Sequence, residues 1–152
     1  MENLQKVKNY VSRFRDTAEK LELKYKIPAL LILGVSALET GWGLHAPNNN
    51  FFGIKATEKE KRSVGFQRTY EYENGKKEVR YCRFASYATP DESFEAFCKL
   101  LLTPRYSRAM RCFKLSDMVE AVAECGYSTS PLWSENVMKC IQMICCDSDG
   151  KY

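Results

Sequence analysis

The sequence holds a single histidine, His45, and none of its seven cysteines falls in a Cys-x-x-Cys pair. The ligand spacings of a zinc site are therefore missing, and no metal is expected. An odd cysteine count, with Cys145 next to Cys146, also argues against a disulfide framework. The cysteines are expected as reduced thiols serving as small core hydrophobes. Long apolar runs are scarce too: the longest, Ile27 to Leu38, spans twelve residues and is interrupted by Pro28, Gly34 and Ser36. A bilayer span needs ~20, so no membrane insertion is expected. Charge of one sign is not concentrated anywhere. The 23 basic and 19 acidic residues leave a net charge of +4, without the basic block of a nucleic-acid arm, so nucleic acid is not an expected partner. Repeats and low-complexity tracts are absent.

What is present is an ordinary globular composition, 45% hydrophobic and 28% charged, over 152 residues. That length predicts one domain covering residues 1–152. Leu4, Val7, Val11, Phe14, Ala18, Leu21 and Tyr25 recur at spacings of three and four, the pattern of an amphipathic helix. Pro28 suits a first helical position, and the uncharged run after it predicts a helix buried on all sides, closed by Gly41 in a left-handed conformation. Residues 40–55 read as a loop. Gly65 to Phe84 alternates around Asn74-Gly75, a strong two-residue hairpin signal. Thr89-Pro90-Asp91-Glu92 predicts a capping box opening a helix that Pro104 terminates. Ser116 is expected to cap a short helix stopping at Gly126, and Ser130-Pro131 to start the last, with Trp133, Val137, Cys140, Ile141 and Ile144 inward. The fold class is mainly α (α+β): a helical body with one hairpin lobe and a cleft between them.

Glu39 is the first charge after that uncharged run. Burial, the negative end of the helix dipole and the lack of a charged neighbour before it would together raise its pKa. A carboxyl kept protonated in this way can act as a general acid toward a leaving sugar oxygen. The competing reading is a helix that surfaces at this point, with Glu39 in water.

The segments Ser36-Ala37-Leu38-Glu39-Thr40-Gly41-Trp42-Gly43 and Asn49-Asn50-Phe51-Phe52-Gly53-Ile54-Lys55 resemble motifs of the glucosaminidase family of peptidoglycan hydrolases, glycoside hydrolase family 73. Thr69-Tyr70-Glu71-Tyr72-Glu73-Asn74-Gly75, then Phe84-Ala85-Ser86-Tyr87 with Glu92-Ser93-Phe94, and Gly126-Tyr127-Ser128-Thr129-Ser130-Pro131 are similar to further blocks in the family's own order. The resemblance implies a lysozyme-like fold and hydrolysis of the β-1,4 bond after N-acetylglucosamine in glycan strands, with no cofactor. It implies Glu39 as the catalytic acid and Glu71 as a second acidic group across the cleft. Tyr127 is expected near the reacting sugar. Trp42, Asn50, Phe52, Gly53 and Trp133 are carried over as substrate-binding positions, with core packing the rival role for Trp42, Phe52 and Trp133.

Counting outward from the turn pairs Glu73 with Lys76, Tyr72 with Lys77 and Glu71 with Glu78, so Glu73 and Glu78 remain rivals for the role of Glu71. Ser130 and Trp133 depart from the family pattern, which commonly has an aspartate and a tyrosine there. A lytic transglycosylase or muramidase on the same fold, or a binding module without turnover, are the alternatives. A monomer acting on the cell wall is expected. The first twenty residues lack the apolar core of a secretory signal, so late release from the cytosol, as an endolysin or secretion-system cargo, is the expected route, against a chain trimmed of its signal.

Overall fold

A computed structural model describes residues 2–57 and 63–147, with residues 63–67 described by their backbone. Helix α1 runs Glu2–Tyr25 and buries Val7, Tyr10, Val11, Phe14, Ala18 and Leu21. The apolar stripe thus begins one turn later than the spacing predicts. Leu4 is exposed, and Tyr10, which the pattern passes over, is buried with its hydroxyl donating to the Leu33 carbonyl at 2.9 Å. Helix α2, Ala29–Thr40, is apolar on nearly all sides, with Leu31 through Ala37 buried without a break. It therefore sits at the centre, packed against α1 on one side and α6 (Trp133–Asp147) on the other. Gly34 allows a close approach to α6, since a β-carbon there would lie 2.5 Å from Cγ1 of Ile141.

Gly41 closes α2 at φ 56°, and Trp42 and Gly43 continue in left-handed conformations at 63° and 78°. Three such residues in a row reverse the chain directly after the helix. The Thr40 hydroxyl braces the reversal by accepting from the Gly43 amide at 2.7 Å. Beyond a single 3₁₀ turn at Pro47–Asn49, Asn50 organises the loop that follows. Its side chain donates to the carbonyls of Ile54 and Ala85 and accepts from the amides of Phe52 and Ile54. The loop thereby delivers Phe51 and Phe52 into an aromatic cluster with Phe14, Phe94 and Phe97, in which Phe52 stacks on Phe97 at 4.3 Å.

Strands β1 (Ser63–Glu73) and β2 (Lys76–Ala85) form one antiparallel hairpin around Asn74-Gly75. The register is the one counted from the turn: Glu73 faces Lys76, Tyr72 faces Lys77 and Glu71 faces Glu78. Helix α3 (Pro90–Leu101) begins at a cap in which the Thr89 hydroxyl accepts from the Glu92 amide. Glu92 reaches back to the amide of Ala88, one residue earlier than a standard capping box. A 3₁₀ turn at Pro104–Tyr106 leads into the short α4 (Ser107–Met110), an element the sequence pattern does not announce. Helix α5 (Leu115–Glu124) starts at Lys114 rather than at a Ser116 cap, because Leu115, Met118, Val119 and Val122 form its inward stripe from the first turn. Helix α6 begins at Trp133, two residues after Pro131; Ser130 still guards its entry by accepting from the Leu132 amide. All seven cysteines are free, Cys98 and Cys140 being buried.

Candidate active site

A cavity of about 390 Å³ opens between the hairpin and the helical body. Glu39, from the last turn of α2, stands in its wall, and Gly53 lies against the carboxyl, where a β-carbon would be 3.2 Å from Oε2. Gly53 has a φ of 63°, so both backbone and space favour glycine there. The indole of Trp133 donates to Oε1 of Glu39 at 3.0 Å. Of the two readings of Glu39, the structure combines parts of each: the residue is exposed at the end of its helix, but it lies in the cavity wall and protein crowds its carboxyl. Desolvation by that surround raises its pKa, the Trp133 hydrogen bond opposes the rise, and the negative charge of Glu71 adds to it.

Glu71 enters from β1. Its two oxygens are both engaged, Oε1 by the Lys55 ammonium at 2.6 Å and Oε2 by the Thr129 hydroxyl at 2.6 Å. Partial burial pushes its pKa up, but the hydrogen bonds from Lys55 and Thr129 and the positive charges of Lys55 and Arg80 outweigh it, so the net shift is downward. The cavity therefore brings together a carboxyl biased toward its protonated form and one biased toward its ionised form. Such a division is the usual preparation for acid chemistry beside a charge-stabilising or water-activating group. Glu73 and Glu78 do not line this cavity; both accept from Arg80, at 2.8 and 2.7 Å, on the exposed hairpin.

Tyr127 lines the cavity but its hydroxyl donates to the Phe52 carbonyl at 2.8 Å. Burial and the neighbouring Glu39 charge push its pKa well up, so it is a neutral donor. Its ring rests on Trp133 at 5.0 Å and edge-on to Phe97 at 5.8 Å. Trp133 is buried and Phe52 is buried beneath the cavity; Asn50 is committed to its four loop hydrogen bonds; Trp42 packs edge-on against Tyr10 at 5.7 Å. Of the eight predicted positions, Glu39, Phe52, Gly53, Glu71 and Tyr127 line the cavity; Trp133 reaches it through Glu39, Asn50 holds the loop that carries Phe52 and Gly53, and Trp42 packs on α1 away from the lining.

Three participants escape sequence reasoning. Lys55 and Thr129 stand within the motif blocks but carry no spacing signal that would pair them with Glu71. Arg105 lines the cavity and donates to the carbonyls of Cys125 and Gly126, both at 2.8 Å, closing the carbonyl end of α5. Its guanidinium fills the space that a side chain at Gly126 (φ 95°) would need. Among the described residues, no cluster of His, Cys, Asp and Glu could hold a metal ion.

Comparison with known proteins converges on one assignment. The family model for glucosaminidases, described as mannosyl-glycoprotein endo-beta-N-acetylglucosaminidase, matches residues 15–145. The peptidoglycan hydrolase FlgJ of Vibrio cholerae is 30% identical over 139 residues, 86% of this chain and 42% of that protein. FlgJ of Salmonella typhimurium is 30% identical over 145 residues, covering 90% and 46%. The chain thus spans less than half the length of these curated relatives. A crystal structure of a peptidoglycan hydrolase mutant from Sphingomonas sp. A1 superposes with a TM-score of 0.79 at 30% identity, over 88% of this chain and 91% of that one. A truncated glycoside hydrolase domain of Salmonella FlgJ gives 0.72 at 29% identity, over 92% and 98%. Motif order, the hairpin-walled cavity with its two unlike carboxyls, and a family match through nearly the whole of the described chain agree that this protein belongs to the glucosaminidase family.

Proposed function

We propose that the chain is a glycoside hydrolase acting on peptidoglycan, an endo-β-N-acetylglucosaminidase that cleaves the β-1,4 bond after N-acetylglucosamine. The observation that carries this reading is Glu39: a solvent-reachable carboxyl in a cavity wall, its pKa raised, its orientation set by the Trp133 indole. Protonated, it delivers its proton to the glycosidic oxygen as positive charge develops on the sugar ring. Glu71, ionised and held by Lys55 and Thr129, steadies that charge or activates the attacking water. Tyr127, tied to the Phe52 carbonyl, shapes the wall beside the acid and keeps the loop carrying Gly53 in place. The site of action is the cell wall, and the family's substrate, the glycan strand, is the partner.

The test is mass spectrometry of borohydride-reduced products from purified murein. Reduced N-acetylglucosamine ends are expected; reduced or anhydro-muramic ends would indicate a muramidase or lytic transglycosylase, and no products a binding module. Glu39→Gln keeps an acceptor for Trp133 and removes the proton donor. It is expected to lower turnover by ~10²–10⁴-fold, the range of a lost general acid, with a Tm no lower than that of the parent. Undiminished digestion by this variant would overturn the assignment.

A further inference from the structure

The hairpin has a second surface that the carboxyl pair does not use. Directly opposed residues of an antiparallel pair share a face, so the register sorts the side chains into two sets. One set holds Thr69, Glu71, Glu73, Lys76, Glu78 and Arg80. All three glutamates lie there, Glu71 paired with Lys55 and Glu73 and Glu78 sharing Arg80. The other holds Arg68, Tyr70, Tyr72, Lys77, Val79 and Tyr81, with cations and aromatics and no carboxylate.

This second face is open to solvent, Tyr70 being 50% and Tyr81 67% exposed. Its cations are held on an aromatic ring: the Lys77 ammonium lies 4.2 Å from the centre of the Tyr70 ring and the Arg68 guanidinium 5.5 Å. Arg68 also donates to the Tyr70 hydroxyl at 3.3 Å. Among the described residues, no ion pair to a carboxylate is formed by either cation. On an exposed hairpin, cross-strand ion pairs are an easily available stabilisation; here the acidic partners all lie on the opposite side. A cation resting on a π face keeps N–H donors directed outward for an anion. Tyr70 also lines the cavity, so this surface begins at its rim.

We propose that the Arg68–Tyr70–Lys77–Tyr81 face binds the carboxylates of the peptide stems borne by the glycan strand whose sugars enter the cavity. This deepens, and rests on, the peptidoglycan reading. The glycan backbone is uncharged while the stems are anionic, and the ionised Glu71 in the cavity is already paired with Lys55. At the rim the stems thus meet two cations that, among the described residues, pair with no carboxylate, whereas inside the cavity Lys55 is engaged by Glu71 and Arg105 by the Cys125 and Gly126 carbonyls. Two cations with tyrosine hydroxyls beside them suit an isolated carboxylate flanked by amides. A long phosphodiester polymer would be met by a continuous basic track, which this face lacks.

The full chain is tested with Lys77→Glu and Arg68→Gln, neither of which belongs to the catalytic machinery. Hydrolysis is compared on peptide-bearing glycan and on strands freed of stems by an amidase. KM on peptide-bearing glycan is expected to rise roughly tenfold, the scale of one lost charge-assisted hydrogen bond, with kcat unchanged and no effect on stem-free strands. In parallel, free stem tetrapeptide is titrated into isotopically labelled protein. Saturable amide shifts confined to residues 68–72 and 77–81 are expected, and their loss in Lys77→Glu. Equal changes on both substrates, no change on either, shifts elsewhere, or equally strong binding of linear polyphosphate would overturn the proposal. If the parent hydrolyses neither glycan, the functional reading fails, while the peptide titration still decides the role of this face.

Discussion

The behaviour of Glu39 and Glu71 follows from who donates to each. Trp133 gives Glu39 one hydrogen bond against desolvation and the charge of Glu71, so the balance is upward. Lys55 and Thr129 give Glu71 two, and its balance is downward. Activity that needs protonated Glu39 falls as pH rises through the raised pKa; activity that needs ionised Glu71 falls as pH drops through the lowered one. Trp133→Phe removes a donor that favours the carboxylate of Glu39, so the alkaline limb of kcat/KM should move to higher pH. Lys55→Met removes the donor and charge that favour ionised Glu71, so the acid limb should also move to higher pH. The measurement is kcat/KM against pH on solubilised glycan, and limbs that stay in place would contradict the two assignments. The uncharged run marks Glu39 in the sequence but leaves a surface position equally open, and it is the family resemblance of the segments around it that singles it out. Lys55 and Thr129 were not legible, since a partnership between residues 16 and 58 positions from Glu71 leaves no local pattern.

The hairpin was the most legible element, because an Asn-Gly turn fixes register by itself and both residues take the positive φ that such a turn demands, 51° and 78°. How it meets the body was not legible. Thr129 supplies part of that junction: its hydroxyl accepts from the Tyr72 amide at 2.9 Å and donates to Glu71. A short backbone bridge from Lys55 to Phe84 supplies another. Thr129→Val keeps the shape and loses both hydrogen bonds. Because the site is exposed, global stability should fall by about 1 kcal/mol or less, while turnover falls roughly tenfold and the Tyr72 amide exchanges faster; Thr129→Ser should restore both. Unchanged exchange at Tyr72 would show that the hydroxyl does not secure the strand. The onsets of α5 and α6 moved from their expected caps for a common reason: inward apolar side chains, Leu115 in one and Trp133 in the other, set where the helix engages the core. The four-residue α4 is too short for any period to reveal.

Across the molecule, α2 is the helix enclosed by others, with α1, α3 and α6 packed against it. Its uncharged sequence required enclosure by other elements, and this is why a helical body around it could be anticipated from the pattern of apolar residues. Which helices enclose it depended on complementary surfaces, such as Gly34 under Ile141, that a one-dimensional pattern does not encode. Gly34→Ala forces Ile141 to move in a packed interface and should cost about 1–3 kcal/mol, read as a lower urea midpoint with an unchanged slope. The same α2 carries Glu39 on its last turn, so the rigidity of the core is transmitted to the acid without an intervening flexible segment. The ammonium that clasps Glu71 has a further effect at this scale. Because Lys55 pairs with Glu71 and Arg105 donates to the Cys125 and Gly126 carbonyls, both cations of the cleft are held on groups of the protein itself, and a neutral sugar brings no charge for salt to screen. Admission of an uncharged saccharide should then be nearly indifferent to ionic strength.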